Sequence, residues 1–163
     1  MHETQADLER LERLLDESWD GAGEHLKNLF SEDLRVPAAD LPALVPGVQV
    51  LVLATVTAKG EPRAAPVDGL FYRGRWYFGS SQRSARFRHL RQRPAVSAAH
   101  VRGEELAVIV HGHAREIDAR TEDRGGFHRY LLGTYGEDWA DWGGDSPYAV
   151  IEPDRMFTRL WRG

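Results

Sequence analysis

Residues 48–79 read VQVLVLATVTAKGEPRAAPVDGLFYRGRWYFG and contain three apolar, β-prone segments separated by two short turns. The turns, Lys59-Gly60 and Arg73-Gly74, are tight enough to join antiparallel neighbours. The first segment is almost continuously apolar, so we expect it to be buried on both faces. Three consecutive strands joined in this way predict an antiparallel meander, which is typical of a small barrel or sandwich.

The rest of the chain extends this pattern. Further β-prone segments lie at residues 95–101, 106–117, 148–152 and 156–161, and helical segments lie at residues 3–19, 82–93 and 121–135. Pro94 stops the second helix, and Pro153-Asp154 separates the last two strands. Because strands follow one another instead of alternating with helices, a parallel doubly wound sheet is disfavoured. We predict six or seven strands and three or four helices.

The stretch before the barrel is different in character. Residues 31–47 contain three prolines and predict an irregular connection with one short helical turn near residues 40–44. We therefore expect one domain overall. In it, residues 1–47 form a helix and a connection packed on a barrel of residues 48–163.

Composition narrows the functional classes. The chain has 163 residues, 42% of them apolar, and no cysteine, which excludes disulfide scaffolds, iron–sulfur clusters, thiolate zinc sites and cysteine nucleophiles. No apolar run approaches the roughly 20 residues of a membrane helix, and the N-terminus is acidic, unlike a signal peptide. We expect a cytoplasmic protein without a membrane partner.

The charge is distributed unevenly. The net charge is −4, yet the segment from Arg63 to Arg102 holds nine basic residues and a single acid, Asp68. Such a block indicates a site for an anion, which can be a phosphate group, a nucleic acid or an acidic partner.

The strongest local signal within this block is GSSQRSARFRHLRQRP, residues 79–94. On the predicted helix Arg83 and Arg86 lie near the start, beside the face of Phe87, whereas Arg88 and His89 point away. Arginines are electrostatically misplaced at the positive end of a helix unless an anion is bound there. The hydroxyls of Ser80, Ser81 and Ser84 lie at the same end. The alternative is a solvated arginine-rich helix, since the chain holds 19 Arg and only 2 Lys.

A second signal is PRAAPV, residues 62–67. Two prolines four positions apart cannot lie in a strand that is hydrogen-bonded on both sides, because each lacks a donor. The segment therefore predicts an edge strand, which is either ordinary or lined by a planar ligand with Arg63 adding a charge.

The succession of these segments resembles the pyridoxamine 5'-phosphate oxidase-like split β-barrel superfamily, whose members use flavins or deazaflavins. The resemblance is carried by ATVTAKGEPRAAPVDGL, RWYFGSS, RSARFRHLRQRPAVSAAH and VIVHGHARE in this order, and by MFTRLWRG at the C-terminus. It implies a mainly β, six- to seven-stranded antiparallel split β-barrel with flanking helices. It also implies a homodimer, with the cofactor in a groove between the two chains.

The resemblance implies roles for individual residues. The cofactor phosphate would be held by Ser80, Ser81, Arg83, Ser84 and Arg86. The ring would be bordered by Arg63, Pro66 and Val67, with Trp161 as a further candidate from the partner chain. The implied activity is an FMN- or 8-hydroxy-5-deazaflavin-dependent oxidoreductase acting on a small organic substrate, without a side-chain nucleophile.

The alternative is a flavin or haem carrier without turnover on the same scaffold. The substrate signature of true pyridoxamine-phosphate oxidases is not recognisable, so vitamin B6 oxidation is not expected.

Other residues suggest weaker alternatives. His111 and His113 alternate on one predicted strand and could join His100 in a three-imidazole metal site, or one of them could ligate haem. More often such histidines are partly buried polar residues. Trp139 and Trp142 in the acidic loop either cover a ligand or act as packing or dimer contacts.

Single-stranded nucleic acid would need exposed aromatic residues among the arginines. The interleaved aromatics fall instead at predicted core positions: Phe71, Tyr72, Trp76, Tyr77 and Phe87. A nucleic-acid partner is therefore not expected.

Overall fold

Six antiparallel strands close into a barrel in the computed structural model, which describes residues 2–161. The order around the barrel is β1-β2-β3-β6-β5-β4, and β4 pairs with β1 to close it. The strands are β1 (Val48–Val56), β2 (Pro62–Tyr72), β3 (Arg75–Gly79), β4 (Ala95–Arg102), β5 (Leu106–Ile117) and β6 (Tyr148–Leu160). The predicted antiparallel barrel is confirmed.

Helical segments lie both before and after the β1–β2–β3 meander in the sequence. They are α1 (Gln5–Asp20), α2 (Glu24–Leu29), a 3₁₀ turn (Glu32–Leu34), α3 (Leu41–Leu44), α4 (Ala85–Gln92), a second 3₁₀ turn (Glu122–Gly125), α5 (Gly126–Tyr135) and α6 (Trp139–Trp142). The predicted three or four helices were too few, because segments of four to six residues are too short to show helical periodicity. Among the helices of residues 2–161, none combines the length and apolar character that a membrane span requires.

Helix α1 begins with a capping box. The side chain of Thr4 accepts a hydrogen bond from the backbone N–H of Asp7, and Asp7 accepts one from the backbone N–H of Thr4. Leu11 and Leu15 point from α1 into the core. Ser18 then accepts a hydrogen bond from the backbone N–H of Met156 at 2.9 Å, which fixes α1 against β6.

Strand β1 corrects one prediction. Leu51 and Leu53 lie inside the barrel, but Val50 on the opposite face is 63% exposed. The near-continuous apolar run is therefore buried on one face only, because a barrel strand turns alternate side chains inward and outward. The outward residues leave an apolar surface on β1.

Strand β6 corrects another. The two predicted last strands form one continuous strand, and Asp154 is an extra residue accommodated where the β5–β6 register shifts between His111 and Gly112. A Cβ at Gly112 would overlap the carbonyl oxygen of Glu152, so only glycine allows this close approach. The proline marks an irregularity within the strand and does not end it.

Candidate functional site

The shortness of β3 creates an opening in the barrel wall. β2 pairs with β1 over residues 62–70, but with β3 only over Gly69–Tyr72. The segment Pro62–Val67 thus has one strand neighbour, as the two prolines predict. Alternate residues of a strand direct their backbone groups to opposite edges. The N–H of Ala64 therefore lies on the same open edge as the carbonyl of Pro66.

Helix α4 follows this opening, and its first turn differs from the prediction. Ser84 is the N-cap and accepts a hydrogen bond from the backbone N–H of Phe87 at 3.3 Å. Phe87 and Leu90 are buried and anchor the helix. Arg83 precedes the N-cap and is exposed, so its predicted place on the helix beside Phe87 was wrong.

His89 corrects the helical wheel as well. Its Nδ1 lies 2.9 Å from the hydroxyl of Thr55, a buried residue of β1, so His89 faces the barrel and does not point away. A helical wheel predicts which residues face the core only from the position of the apolar side chains on the helix. A polar side chain such as Thr55 on the packing partner can turn a neighbouring polar residue inward.

Arg86 is the centre of the site. Its Nη1 donates to Oγ of Ser80 at 3.1 Å, and its Nη2 donates to the carbonyl of Pro66 at 3.5 Å. The side chain thus crosses the opening from α4 to β2 and the end of β3. We call the group formed by Pro66, Ser80, Ser84 and Arg86 the cradle.

Arg86 differs from several other arginines of the chain in its electrostatic surroundings. Arg73, Arg75 and Arg91 each contact a carboxylate, whereas within residues 2–161 no carboxylate lies at ion-pair distance from Arg86. Arg86 is also partly buried, and this desolvation lowers the pKa of its guanidinium. A partly buried, uncompensated cation beside hydroxyl groups favours an anionic ligand.

The other predicted site residues do not all join the cradle. Ser81 and Arg83 are exposed next to it, and Val67 faces the barrel interior. Arg63 is exposed and pairs with Glu61 at 2.7 Å. Trp161 follows the end of β6 that is remote from Gly79, and its backbone N–H donates to the carbonyl of Glu105. Within one chain, Arg63 and Trp161 therefore lie outside the cradle.

The histidines occupy separate environments. His100 is buried, and its Nδ1 lies 2.9 Å from the carbonyl of Val50. His111 and His113 are exposed and contact Ser97 and Asp154 respectively. The three imidazoles are not brought together, and within residues 2–161 no group of three His, Cys, Asp or Glu side chains is arranged to hold a metal ion.

The aromatics of the basic block are core residues, as predicted. All five are buried: Phe71, Tyr72, Trp76, Tyr77 and Phe87. The faces of these five rings are therefore not available for stacking on nucleic-acid bases. Trp139 is also fully buried and is a packing residue, whereas Trp142 is 60% exposed.

A cavity beside the cradle is a feature that the sequence did not reveal. Asp68, Ser80, Tyr135, Trp142 and Tyr148 line it, so it shares Ser80 with the cradle. Burial raises the pKa of Tyr135, with further contributions from Tyr148 and the charge of Asp68. The only sequence signal was the pair of tryptophans in the acidic loop. Their different environments depend on how α5 and α6 pack.

The outer face of the barrel carries an apolar surface that we call the valine face. Its members are exposed valines of the adjacent strands β1 and β4: Val48, Val50, Val52 and Val101. Exposed apolar surface on neighbouring strands is typical of a protein–protein contact.

The family model described as pyridoxamine 5'-phosphate oxidase matches residues 39–159, about three quarters of the chain. No protein with curated annotation is significantly similar in sequence.

Solved structures with the same fold differ in their described roles. A conserved hypothetical protein of Mycobacterium tuberculosis is 18% identical with a TM-score of 0.64, covering 79% of this chain and 88% of that chain. An F420 reductase is 20% identical with a TM-score of 0.55, covering 71% and 94%. The haem storage protein HutZ of Vibrio cholerae is 19% identical with a TM-score of 0.58, covering 68% and 86%. These likenesses show the fold.

Proposed function

This chain belongs to the pyridoxamine 5'-phosphate oxidase family, and on that premise we propose that it is an oxidoreductase. It binds FMN or, as the alternative, an 8-hydroxy-5-deazaflavin coenzyme, and it transfers a hydride to or from a small organic substrate. The family likeness to an F420 reductase supports this class of activity. The likeness to a haem storage protein keeps a carrier function on the same scaffold as the competing candidate.

The observation that carries the proposal is the uncompensated charge of Arg86. A phosphate ester at the opening would accept hydrogen bonds from the Arg86 guanidinium and the Ser80 hydroxyl, the two groups already in contact at 3.1 Å. Both the flavin and the deazaflavin coenzyme carry such a group. The Ser84 hydroxyl, which accepts from Phe87, keeps its own proton available for donation. The residues present therefore fit a phosphorylated cofactor.

The chain's residues bind and orient, and the bound cofactor supplies the hydride-transfer chemistry. The open edge of β2 offers the Ala64 N–H as a donor and the Pro66 carbonyl as an acceptor for the polar edge of a planar ring. Pro66 itself presents a rigid apolar surface beside these groups. The barrel core behind β2 excludes water from that side of the ring.

We further propose that the protein acts as a homodimer through the valine face. Val50 and Val101 are 63% and 60% exposed, and pairing two copies would remove this apolar surface from water. Pro66 lies opposite Val52 on β2, so a groove between two copies would run beside the cradle. Arg63 and Trp161, which lie outside the cradle of their own chain, are then the candidates for completing the site of the partner.

The test is a side-by-side titration of the cofactor-free protein with FMN, the deazaflavin coenzyme and haem. We expect saturable binding of one of the two phosphorylated cofactors and a loss of about 1.5–3 kcal/mol in Arg86→Ala, the range for a charge-assisted hydrogen bond. Arg88→Ala is the matched control, because Arg88 lies on the same helix but is exposed.

Unchanged affinity in Arg86→Ala would overturn the phosphate assignment, and exclusive haem binding would favour the carrier. Once a cofactor is bound, stopped-flow reduction and reoxidation separate an oxidoreductase from a carrier.

A further inference from the structure

The cavity next to the cradle is lined by a carboxylate and aromatic rings, whereas the cradle holds the cation Arg86. We call it the acidic aromatic pocket and define it by Asp68, Tyr135, Trp142 and Tyr148. Its volume is about 190 Å³, below the 300–1,000 Å³ of pockets for drug-sized ligands. It is therefore suited to a group of one or two rings.

The aromatic walls are held in place by packing. The ring of Tyr135 meets that of Trp142 edge-on at a centroid distance of 5.5 Å. Tyr148 lies directly against the backbone of Gly79, where a Cβ would come within 2.9 Å of its Cζ. Trp142 nevertheless remains 60% exposed, so a large aromatic surface stays available to a ligand.

The pocket is also negatively charged. Asp68 is the single acid of the basic block, and within residues 2–161 its carboxylate has neither a hydrogen-bond nor an ion-pair partner. Its charge contributes, after burial, to the raised pKa of Tyr148 on the opposite wall. The neighbouring loop, residues 136–146, adds four acids and no base, and one of these acids, Asp145, lies 3.8 Å from Arg120. No positive side chain of the described pocket lining neutralises this field.

We infer that the acidic aromatic pocket is the substrate subsite of this oxidoreductase and that it takes a planar organic cation, such as an N-alkylated or protonated aromatic ring. That the bound cation is a substrate rests on the proposed function. Its binding is argued from the residues of the pocket alone. Aromatic faces and a carboxylate both attract a cation.

The adjoining cradle strengthens the preference of the pocket for a cation. Arg86 and the pocket meet at Ser80, so positive and negative potential lie side by side in one groove. A cationic substrate is repelled by the cradle and attracted by Asp68, whereas a phosphate group has the reverse preference. The two ligands are thereby directed to adjacent sites without competing for either.

The experiment is calorimetric titration of the full chain with two bicyclic probes of similar size, the cation N-methylquinolinium and the anion 2-naphthalenesulfonate. We expect the cation to bind saturably and the anion to bind at least about tenfold more weakly. Asp68→Asn should weaken the cation by about tenfold, because it removes the charge while keeping the shape. Asp20→Asn removes the same charge from the exposed end of α1, outside the pocket lining and the acidic loop, and should change affinity by less than about threefold.

Equal affinity for the two probes, or equal affinity of the cation for wild type and Asp68→Asn, would overturn the inference. Trp142→Ala provides a second test, since loss of the exposed ring should also weaken the cation. The FMN titration is read separately. Asp68-dependent cation binding without any cofactor binding would overturn the flavin assignment alone, and the reverse result would overturn the pocket alone.

Discussion

Nε of Arg73 donates a hydrogen bond to Oδ2 of Asp7 at 2.7 Å, which ties the first turn of α1 to the turn between β2 and β3. Asp7 is almost fully buried and also accepts from Arg10 and from the hydroxyl of Thr4. The guanidinium of Arg73 contacts Asp123 as well. A single buried carboxylate thus joins the N-terminal helix, the meander and, through Arg73, the 3₁₀ turn before α5.

Asp7→Asn should lower the free energy of unfolding by about 3 kcal/mol at pH 7, because it removes the buried one of the two carboxylates that the Arg73 guanidinium contacts. Burial alone would raise the pKa of Asp7, but hydrogen bonds from Arg73, Thr4 and Arg10 outweigh it and hold the pKa well below its ordinary value. The contribution is therefore complete above the unfolded-state pKa of about 3.9 and is lost as the pH falls below it.

Urea denaturation of the wild type and Asp7→Asn at pH 7 and pH 3 measures the difference in their free energies of unfolding, which should be smaller at pH 3. Asp16→Asn is the control, since Asp16 lies on the same helix and forms a surface ion pair with Arg35 worth about 0–1 kcal/mol. An equal cost at both pH values would refute the role assigned to the Asp7 charge.

Gly112→Ala should destabilise the barrel by about 3 kcal/mol or more, because its Cβ would overlap the Glu152 carbonyl at the bulge. Thermal unfolding of Gly133→Ala supplies the contrast. Gly133 lies within α5 with open space around its Cβ position, and alanine there should stabilise by up to about 1 kcal/mol. Similar melting temperatures for the two variants would contradict the close approach of β5 and β6.

Val50→Asp should convert the proposed homodimer to a monomer, since it places a charge in the centre of the valine face. Light scattering coupled to size exclusion measures the mass, and circular dichroism checks the fold. Leu29→Asp is the matched control, because Leu29 is equally apolar and 52% exposed but lies on α2, outside the valine face. A dimeric Val50→Asp protein would assign the interface to another surface.

Ser84→Ala should cost about 1 kcal/mol of stability through loss of the α4 cap, whereas Ser84→Gly should cost only a few tenths. The reason is that Ser84 accepts the Phe87 N–H at 3.3 Å. Chemical denaturation distinguishes the two variants, with the exposed Ser81→Ala as reference. Should Ser84→Ala cost no more stability than Ser81→Ala, the cap would contribute nothing measurable to α4.

The barrel can be predicted from local sequence patterns. Two Gly-containing turns fix the β1–β2–β3 meander, and Pro62 with Pro66 identifies the unpaired edge. The basic block around Arg86 likewise predicts an anion site from charge and helix polarity alone. Each of these signals lies within one or two neighbouring elements, where sequence spacing determines spatial spacing.

The features that sequence patterns miss depend on contacts between distant segments. The outward face of β1 has the same residue types as its buried face, so apolar character cannot say which side meets solvent. Arg73 finds Asp7 and Asp123 only after α1 and the turn before α5 dock. The acidic aromatic pocket likewise requires β2, α5 and the loop around Trp142 to converge.

The prolines of β2 have one more consequence. An open strand edge is ordinarily a template on which another chain can add itself, and growth of that kind leads to aggregation. Pro62 and Pro66 remove the donors on either side of the Ala64 N–H from that edge, so an incoming strand would leave some of its own carbonyls unsatisfied. The open edge of β2 can therefore stay accessible to a small ligand while the protein resists polymerisation through strand addition.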